Sequence, residues 1–276
     1  MKALIHVTSY SVMTFLLVGC ISMTRGSGNL KTEMRPVSGF RSVEMAMTGK
    51  LIIDQSGKES LSIEAEDNLL QYITTEVKGD LLVIGTKPFT GFRSTRPVII
   101  RLGVKDLDSI ALSGSGEIES GAIRSDRLAV DISGSGSMTL AEISTPNFRL
   151  KENGSGSFKS RQVDSDEIEL VQSGSGAISI DNLEAENIQV QADSSGSIEL
   201  SGRVNKQDLK IAGSGSYSAG NLKSGEVSIA VSGSGVVELN VDKLLIANVS
   251  GSGSIVYSGE AVLRKTITGS GTVSMR

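Results

Sequence analysis

Apolar and polar residues alternate along most of the chain, and this two-residue period predicts β-strands. Leu61 and Ile63 alternate with polar neighbours, and further β-rich runs occupy residues 81–84 and 98–102. Only the stretch 66–72 can hold a helical turn. The hydrophobic pattern therefore predicts an all-β chain.

A Gly-Ser-Gly element recurs nine times at intervals of 18 to 20 residues, once as Ser-Ser-Gly. An apolar residue stands two positions after the final glycine of each copy. The final glycines are Gly116, Gly136, Gly156, Gly176, Gly196, Gly215, Gly235, Gly253 and Gly271. A near-constant period of this size predicts a solenoid, in which each unit buries its apolar face against its neighbours.

The phase of this repeat predicts which side chains point inward. Extended backbone alternates faces, so the flanking apolar residues and the glycines share the inward side and the middle serine points out. Inward glycines suit a sharp bend or a close approach of two walls. About 20 residues per coil, stacked at ~4.8 Å, fit a parallel β-helix. A β-sandwich of hairpins is the alternative, but it gives no reason for an identical element in every unit.

Glu152 and Gln172 occupy the inward phase in two neighbouring units. They can form a buried polar pair, or a local bend can turn both to solvent. An unpaired buried carboxylate costs several kcal/mol, so we expect both side chains to face solvent.

The N-terminus has the pattern of an export signal. Lys2 precedes an uncharged, largely apolar stretch over residues 3–18, which is shorter and more polar than a typical membrane-spanning helix. The stretch ends in Leu-Val-Gly-Cys at 17–20, which resembles the lipobox of bacterial lipoproteins. That resemblance implies cleavage between Gly19 and Cys20 and acylation of Cys20, with palmitate among the lipids. The alternative is an ordinary secretory signal cut a few residues later.

The resemblance also implies an address. Ile21 follows the cysteine where an aspartate would favour the inner membrane, so lipoprotein sorting implies the bacterial outer membrane. Whether the protein faces the periplasm or the cell surface stays open. The predicted organisation is a signal peptide over 1–19, a flexible tether over 20–36, an N-terminal β region and cap over 37–105, and parallel β-helix repeats over 106–276. The tether is predicted because residues 21–34 carry no apolar period.

Composition excludes several classes of function. The chain has 27 basic and 31 acidic residues, so its net charge of −4 does not favour nucleic-acid binding. Cys20 is the only cysteine and His6 the only histidine. An intrachain disulfide and a multi-cysteine metal site are therefore excluded. Removal of the signal leaves no histidine to activate a serine nucleophile, and we expect no catalytic residues, no metal and no cofactor.

The loop 86–97 is one candidate contact site. Phe89 and Phe92 lie beside Arg93 and Arg96, a combination that suits binding to a protein or an anionic glycan. The same phenylalanines can instead cap the first coil, and we favour the cap because the ends of solenoids need covering.

Scattered carboxylates are the second candidate. Asp131, Glu152, Glu169 and Asp193 lie near the repeat bends. Cleavage of a polysaccharide would need such groups to converge on one exposed face. They form no recurring set, which favours solubilising surface charge over a lyase or hydrolase site.

Three segments carry a resemblance to a known family. The Ser-Gly-Phe-Arg-Ser-Val run at 38–43, the run 61–64 and the Ser-Gly-Ser-Gly ladder resemble the putative auto-transporter adhesin head GIN domain family over residues 37–276. The resemblance implies an envelope-associated bacterial β-helix. We expect a lipid-anchored adhesin or surface interaction module without catalytic activity, held to the membrane by its lipid. A host or envelope glycan or protein is the expected partner, and a homo-oligomer is open. The alternative is a polysaccharide-binding or pectinase-like polysaccharide-processing lipoprotein.

Overall fold

The computed structural model describes residues 23–276, so the signal peptide, Gly19 and Cys20 lie outside the described part. The described chain is almost entirely β, with a single 3-10 turn at Leu70–Tyr72 inside the stretch where a helical turn is predicted. The all-β prediction is confirmed. The strands are β1 Met23–Arg25, β2 Leu30–Arg35, β3 Ser42–Met45, β4 Lys50–Asp54, β5 Ser60–Glu66, β6 Ile73–Lys78, β7 Leu81–Thr86, β8 Gly91–Arg93, β9 Ile99–Gly103, β10 Ser109–Leu112, β11 Glu117–Arg124, β12 Leu128–Ile132, β13 Ser137–Ser144, β14 Asn147–Glu152, β15 Ser157–Gln172, β16 Ala177–Ser194, β17 Ser197–Gly213, β18 Ser216–Val231, β19 Val236–Gly251, β20 Ser254–Ser258, β21 Val262–Gly269 and β22 Thr272–Met275.

From β10 onward the strands pair in parallel with the equivalent strands of the next coil. Ile118 pairs with Met138, which pairs with Phe158, so one repeat of the sequence corresponds to one coil. The parallel β-solenoid has about eight turns, close to the nine repeats of the sequence. The predicted parallel β-helix is confirmed.

Three walls of stacked strands enclose the core. The first wall runs from β7 through β3, β10, β12 and β14 to β21. The second runs from β9 through β4 and the start of β11 to β22. The Gly-Ser-Gly element forms the corner between them. Gly121 and Ala122 form a second corner, where two consecutive exposed residues interrupt the alternation. A shorter third wall follows this corner and begins at Ile123, which pairs with Ile143 of the next coil.

The core consists of columns of apolar side chains that run along the rod. The residues two positions after each final glycine form one column, and every member is buried. They are Ile118, Met138, Phe158, Ile178, Ile198, Tyr217, Val237, Ile255 and Val273. Burying each large side chain contributes about 1.5–3 kcal/mol. The predicted inward phase is confirmed.

Antiparallel strands close the N-terminal end of the rod. β6 pairs with β7 on the first wall, and β5 pairs with β9 on the second, with β2 added to β5. These strands occupy backbone groups that would otherwise form open sheet edges. We call β1, β2, β5, β6, the 3-10 turn and the loop 86–97 the N-terminal cap.

The flexible tether predicted over residues 20–36 is wrong from residue 23 onward. Met23 pairs with Gly91 through β1 and β8, and β2 pairs along its length with β5. The guanidinium of Arg35 also donates to the carbonyl oxygen of Ile73, at 2.6 Å. The sequence did not predict these strands, because an edge strand is held in place by its backbone hydrogen bonds and does not need an alternation of apolar residues.

Candidate functional surface

The Gly-Ser-Gly corner forms a polar stripe along the rod. Its middle serines are all exposed: Ser115, Ser135, Ser155, Ser175, Ser195, Ser214, Ser234, Ser252 and Ser270. The corners are joined coil to coil by backbone bonds such as that from the amide of Ser157 to the carbonyl oxygen of Gly136, at 3.0 Å. A Cβ on Gly156 would lie 2.6 Å from that same oxygen. The element thus follows from the close approach of successive coils.

Glu152 and Gln172 are buried, and the prediction that both face solvent is wrong. Glu152 is 0% and Gln172 1% exposed. The amide of Gly154 donates to Glu152 Oε1 at 2.8 Å, and Gln172 donates to the carbonyl oxygen of Gly176 at 3.0 Å. Ser194 donates to Gln172 Oε1, also at 3.0 Å. The corner keeps its inward phase because neighbouring polar groups meet these side chains inside the rod.

The buried carboxyl group of Glu152 is only partly satisfied. Its Oε2 atom has no hydrogen-bond partner among residues 23–276. Burial raises the pKa of this carboxyl, and the hydrogen bond from the Gly154 amide opposes that rise. A neutral carboxyl avoids much of the cost of burying a charge, so this position serves packing more readily than surface chemistry.

A second buried polar cluster lies further along the rod, and the sequence analysis did not find it. The Tyr217 hydroxyl donates to Gln207 Oε1 at 2.6 Å, and the Gln207 amide donates to Ser224. The Ser224 hydroxyl donates to the carbonyl oxygen of Leu222 at 3.1 Å, and burial raises the pKa of Tyr217. Gln207 interrupts an otherwise apolar column, and that break was the available signal.

The two phenylalanines of the loop 86–97 differ in how far they are exposed to solvent. Phe92 is half-buried, packs against the hydrophobic core and lies 6.5 Å from the ring of Tyr72, measured between centroids. Phe89 is 94% exposed. Arg93 and Arg96 are also exposed. One phenylalanine therefore packs onto the rod, while the other lies beside exposed cations.

Glu66 connects this loop to the N-terminal strands. Its carboxylate accepts hydrogen bonds from the amide of Gly28 at 2.6 Å and from the amide of Thr95 at 2.8 Å. The Thr95 hydroxyl adds a bond of 2.6 Å. These bonds lower the pKa of Glu66, and the bond from the Thr95 hydroxyl contributes most to this decrease. The buried carboxylate therefore fixes the β1–β2 turn against the loop.

The four candidate carboxylates do not converge. Glu152 points into the core, whereas Asp131 pairs in register with Lys151 on the outer face of the first wall. Asp193 is exposed near the Gly-Ser-Gly corner. Glu169 forms a 3.5 Å ion pair with Arg149.

Glu169 has one acidic neighbour that the sequence analysis missed. Gln189 pairs with Glu169 in the next coil, and Asp208 pairs with Gln189 in the coil after that. A shallow pocket on the first wall is lined by Glu169, Gln189, Asp208 and Lys210. Only the coil register brings the two carboxylates to one surface.

A cleft lies at the corner between the third and first walls. It has a volume of about 460 Å³, and its lining includes Asp106, Asp126, Asp164 and Asp166. Arg41 borders it and donates to Asp108 at 2.8 Å. Over residues 23–276 no group of three or more histidine, cysteine or acidic side chains is arranged to hold a metal ion. The same part of the chain contains no helix long and apolar enough to cross a membrane.

Two overlapping matches to one family model cover most of the rod. The model is that of the putative auto-transporter adhesin, head GIN domain, and it matches residues 39–161 and 149–261. The chain belongs to this family. The two matches together take in the first coils and all but the last of the Gly-Ser-Gly corners described above.

Solved structures share the fold of this family member. A protein named putative lipid binding protein, from Parabacteroides distasonis, is 25% identical, with a TM-score of 0.68 over 92% of this chain and 100% of its own. A putative adhesin from the same species is 22% identical, with a TM-score of 0.71 over 92% and 100% of the two chains. A putative adhesin from Parabacteroides merdae is 19% identical, with a TM-score of 0.68 over 92% and 99%. No curated protein matches this chain.

Proposed function

We propose that this protein is a lipid-anchored adhesin of the bacterial outer membrane, which binds its partner along the rod and catalyses no reaction. The observation that carries the proposal is the continuous exposed wall of a solenoid whose family is that of adhesin head domains. Stacked coils offer a long surface, and extended repeat surfaces suit binding to large partners.

The surface itself supports binding more than catalysis. The exposed serines present the same hydroxyl group coil after coil, without a nucleophile distinguished from its equivalents. Glu152, the most strongly buried of the candidate acids, faces the core. A glycan or protein of the host or of the envelope is the partner that such a surface suits.

The anchor is proposed from the sequence. The Leu-Val-Gly-Cys run at 17–20 resembles a lipobox, and the only cysteine of the chain occupies its modified position. Several acyl chains hold a protein firmly to a bilayer, since each buried CH2 contributes about 0.8 kcal/mol. Lipidation of Cys20 would thus be sufficient for anchoring.

Protease treatment of cells tests both location and anchoring. The full chain is expressed in a Gram-negative host, protease is added to intact cells, and broken cells serve as the control. Digestion on intact cells, together with loss of Cys20→Ser from the membrane fraction, is the expected result. Protection until the cells are broken would confine the rod to the periplasm and contradict the adhesin proposal.

A polysaccharide-processing activity is the second candidate, and the pair Glu169 and Asp208 is the observation that favours it. Two coil steps of ~4.8 Å place their backbones about 10 Å apart. Inverting glycosidases hold their two carboxylates roughly 6.5–9.5 Å apart.

This candidate is tested by incubating acidic and neutral polysaccharides with the protein and with Asp208→Asn and measuring the release of reducing or unsaturated ends. Activity lost in Asp208→Asn would favour this candidate, and no release by either protein would exclude it for those polysaccharides.

A further inference from the structure

Exposed large apolar side chains of the described chain concentrate at the two ends of the rod. Five belong to the N-terminal cap: Met23, Leu30, Met34, Val77 and Phe89. Val262, Ile267 and Met275 lie on the last strands, and Val236 lies on the second wall. Exposed apolar side chains that cluster on one part of a protein surface indicate a contact with a partner or a membrane.

Phe89 is the most exposed of these side chains, and its backbone holds it there. Its φ of 59° lies in the left-handed region, which a bulky residue seldom adopts. The Thr90 hydroxyl donates to the carbonyl oxygen of Lys87 at 2.6 Å and closes the turn around Phe89. A strained conformation of this kind persists where the surrounding structure imposes it, so the loop presents Phe89 outward.

The segments that carry Met23 and Phe89 are basic, although the chain as a whole is acidic. Residues 23–32 and 86–97 contain five cations and no acidic residue: Arg25, Lys31, Lys87, Arg93 and Arg96. Four acids lie close by: Glu33, which is paired with Arg35, Glu64 on β5, which lies opposite Thr32, and Glu66 and Asp67. The Glu66 carboxylate accepts hydrogen bonds from Gly28 and Thr95, and Asp67 accepts a hydrogen bond from Ser27. The excess of positive charge matches the surface of an anionic bilayer.

The direction of the chain places this surface beside the proposed lipid anchor. Met23 pairs with Gly91, and the amide of Gly26 donates to the carbonyl oxygen of Arg93 at 3.0 Å. Cys20 precedes Met23 by three residues, and three residues reach about 10 Å at most. A lipid on Cys20 would therefore keep β1 and the loop 86–97 within reach of the headgroups.

We propose that the N-terminal cap docks on the anionic membrane surface, with Phe89 at the level of the headgroups and Arg25, Lys87, Arg93 and Arg96 against lipid phosphates. The rod then projects away from the membrane and presents its opposite end. The lipid on Cys20 belongs to the proposed function, whereas the docking surface consists of residues of the folded domain. The two can therefore be tested separately.

A single tryptophan reports on docking, because the chain contains none. Phe89→Trp is purified as the full chain and as its Cys20→Ser form, and each is mixed with vesicles of phosphatidylethanolamine and phosphatidylglycerol. We expect a blue-shifted emission and quenching by brominated lipids. Val236→Trp, at an exposed apolar position on the second wall, is the matched control and should keep the emission of a solvated indole.

The charge requirement is tested with Arg93→Gln/Arg96→Gln in the Cys20→Ser background. Each cation near an anionic surface accounts for roughly a fivefold change in partitioning, so vesicle binding should fall at least about tenfold. The protein with the unsubstituted loop should bind phosphatidylcholine vesicles as weakly as the variant binds the anionic vesicles.

Docking and anchoring fail in different ways. A missing acyl mass on Cys20 would refute the anchor and leave the vesicle result intact. Solvated emission from Phe89→Trp in a lipidated, vesicle-bound protein would refute docking and leave the anchor intact. Binding that persists unchanged in Arg93→Gln/Arg96→Gln would also overturn the proposal. Binding of the unlipidated protein to anionic polysaccharide but not to vesicles would overturn it as well.

Discussion

Lys265 follows Ala247 in one column of inward-facing side chains of the first wall, one coil further along the rod. The preceding members of the column are all apolar and buried: Val130, Leu150, Leu170, Val190, Leu209 and Ile229. Lys265 is exposed, and its ammonium lies 3.5 Å from the carbonyl oxygen of Val273. An inward charge protects a sheet edge because any strand added there would bury it.

Lys265→Val should make the rod associate end to end. In the described structure β21 pairs with β19 only and β22 with β20 only, so removal of the charge leaves an apolar edge that can accept another copy. We expect a concentration-dependent rise in mass by analytical ultracentrifugation. Lys243→Val, at an exposed position outside that column, is the control. An unchanged mass for Lys265→Val would show that other features protect the edge.

Glu152→Gln should stabilise the fold near neutral pH. The pKa of Glu152 is raised in the folded state. The contribution of this group to the free energy of unfolding is therefore fully present below its unfolded-state pKa of about 4.3. It decreases as the pH rises toward the pKa of the group in the folded state. The amide carries no charge to bury, so we expect a gain on the order of 1 kcal/mol at pH 7 and little gain at pH 4. Denaturant unfolding at both pH values measures it, and equal effects at the two would contradict a buried ionisable group.

Gly156→Ala should destabilise the corner. The added Cβ would lie 2.6 Å from the carbonyl oxygen of Gly136, and relief requires the backbones of two coils to separate. A loss of about 1–3 kcal/mol is expected, as for other overpacked sites. Gly121→Ala is the matched control because a Cβ there meets nothing within 4 Å, and its effect should stay within about 0.5 kcal/mol. Similar losses in both variants would argue against the steric explanation.

Glu66→Gln should loosen the N-terminal cap without unfolding the rod. The folded-state pKa of Glu66 is lowered, so its contribution is present above the unfolded-state pKa and is lost as the pH falls through the folded value. The hydrogen-exchange protection factors of the amides of Gly28 and Thr95, each corrected for the intrinsic exchange rate at the pH of the measurement, should fall in the variant, and in the native protein at low pH. Glu64→Gln on the same strand is the control. Unchanged exchange at both amides would mean that the backbone pairing of β1 and β8 suffices.

The candidate surfaces were predictable only in part. The loop 86–97 was identified from its residue types, but the difference between half-buried Phe92 and exposed Phe89 depends on the contacts of Phe92 with Tyr72 and with the hydrophobic core. Asp208 could not be related to Glu169 before the coil register was known. Surface neighbours in a solenoid lie one coil apart in sequence, so a small change in coil length alters which of them meet.

The sequence by itself determined the parallel β-helix, its period, its inward phase and its buried glycines. Each of these depends on a local pattern that every coil repeats, and nine copies of one element leave few other solutions. Only the tertiary structure decided that Glu152 and Gln172 are buried, because the groups that satisfy them belong to the folded corner. Only it joined Met23 to Gly91, because that pairing is made by backbone groups, which every residue carries alike and which no side-chain pattern records.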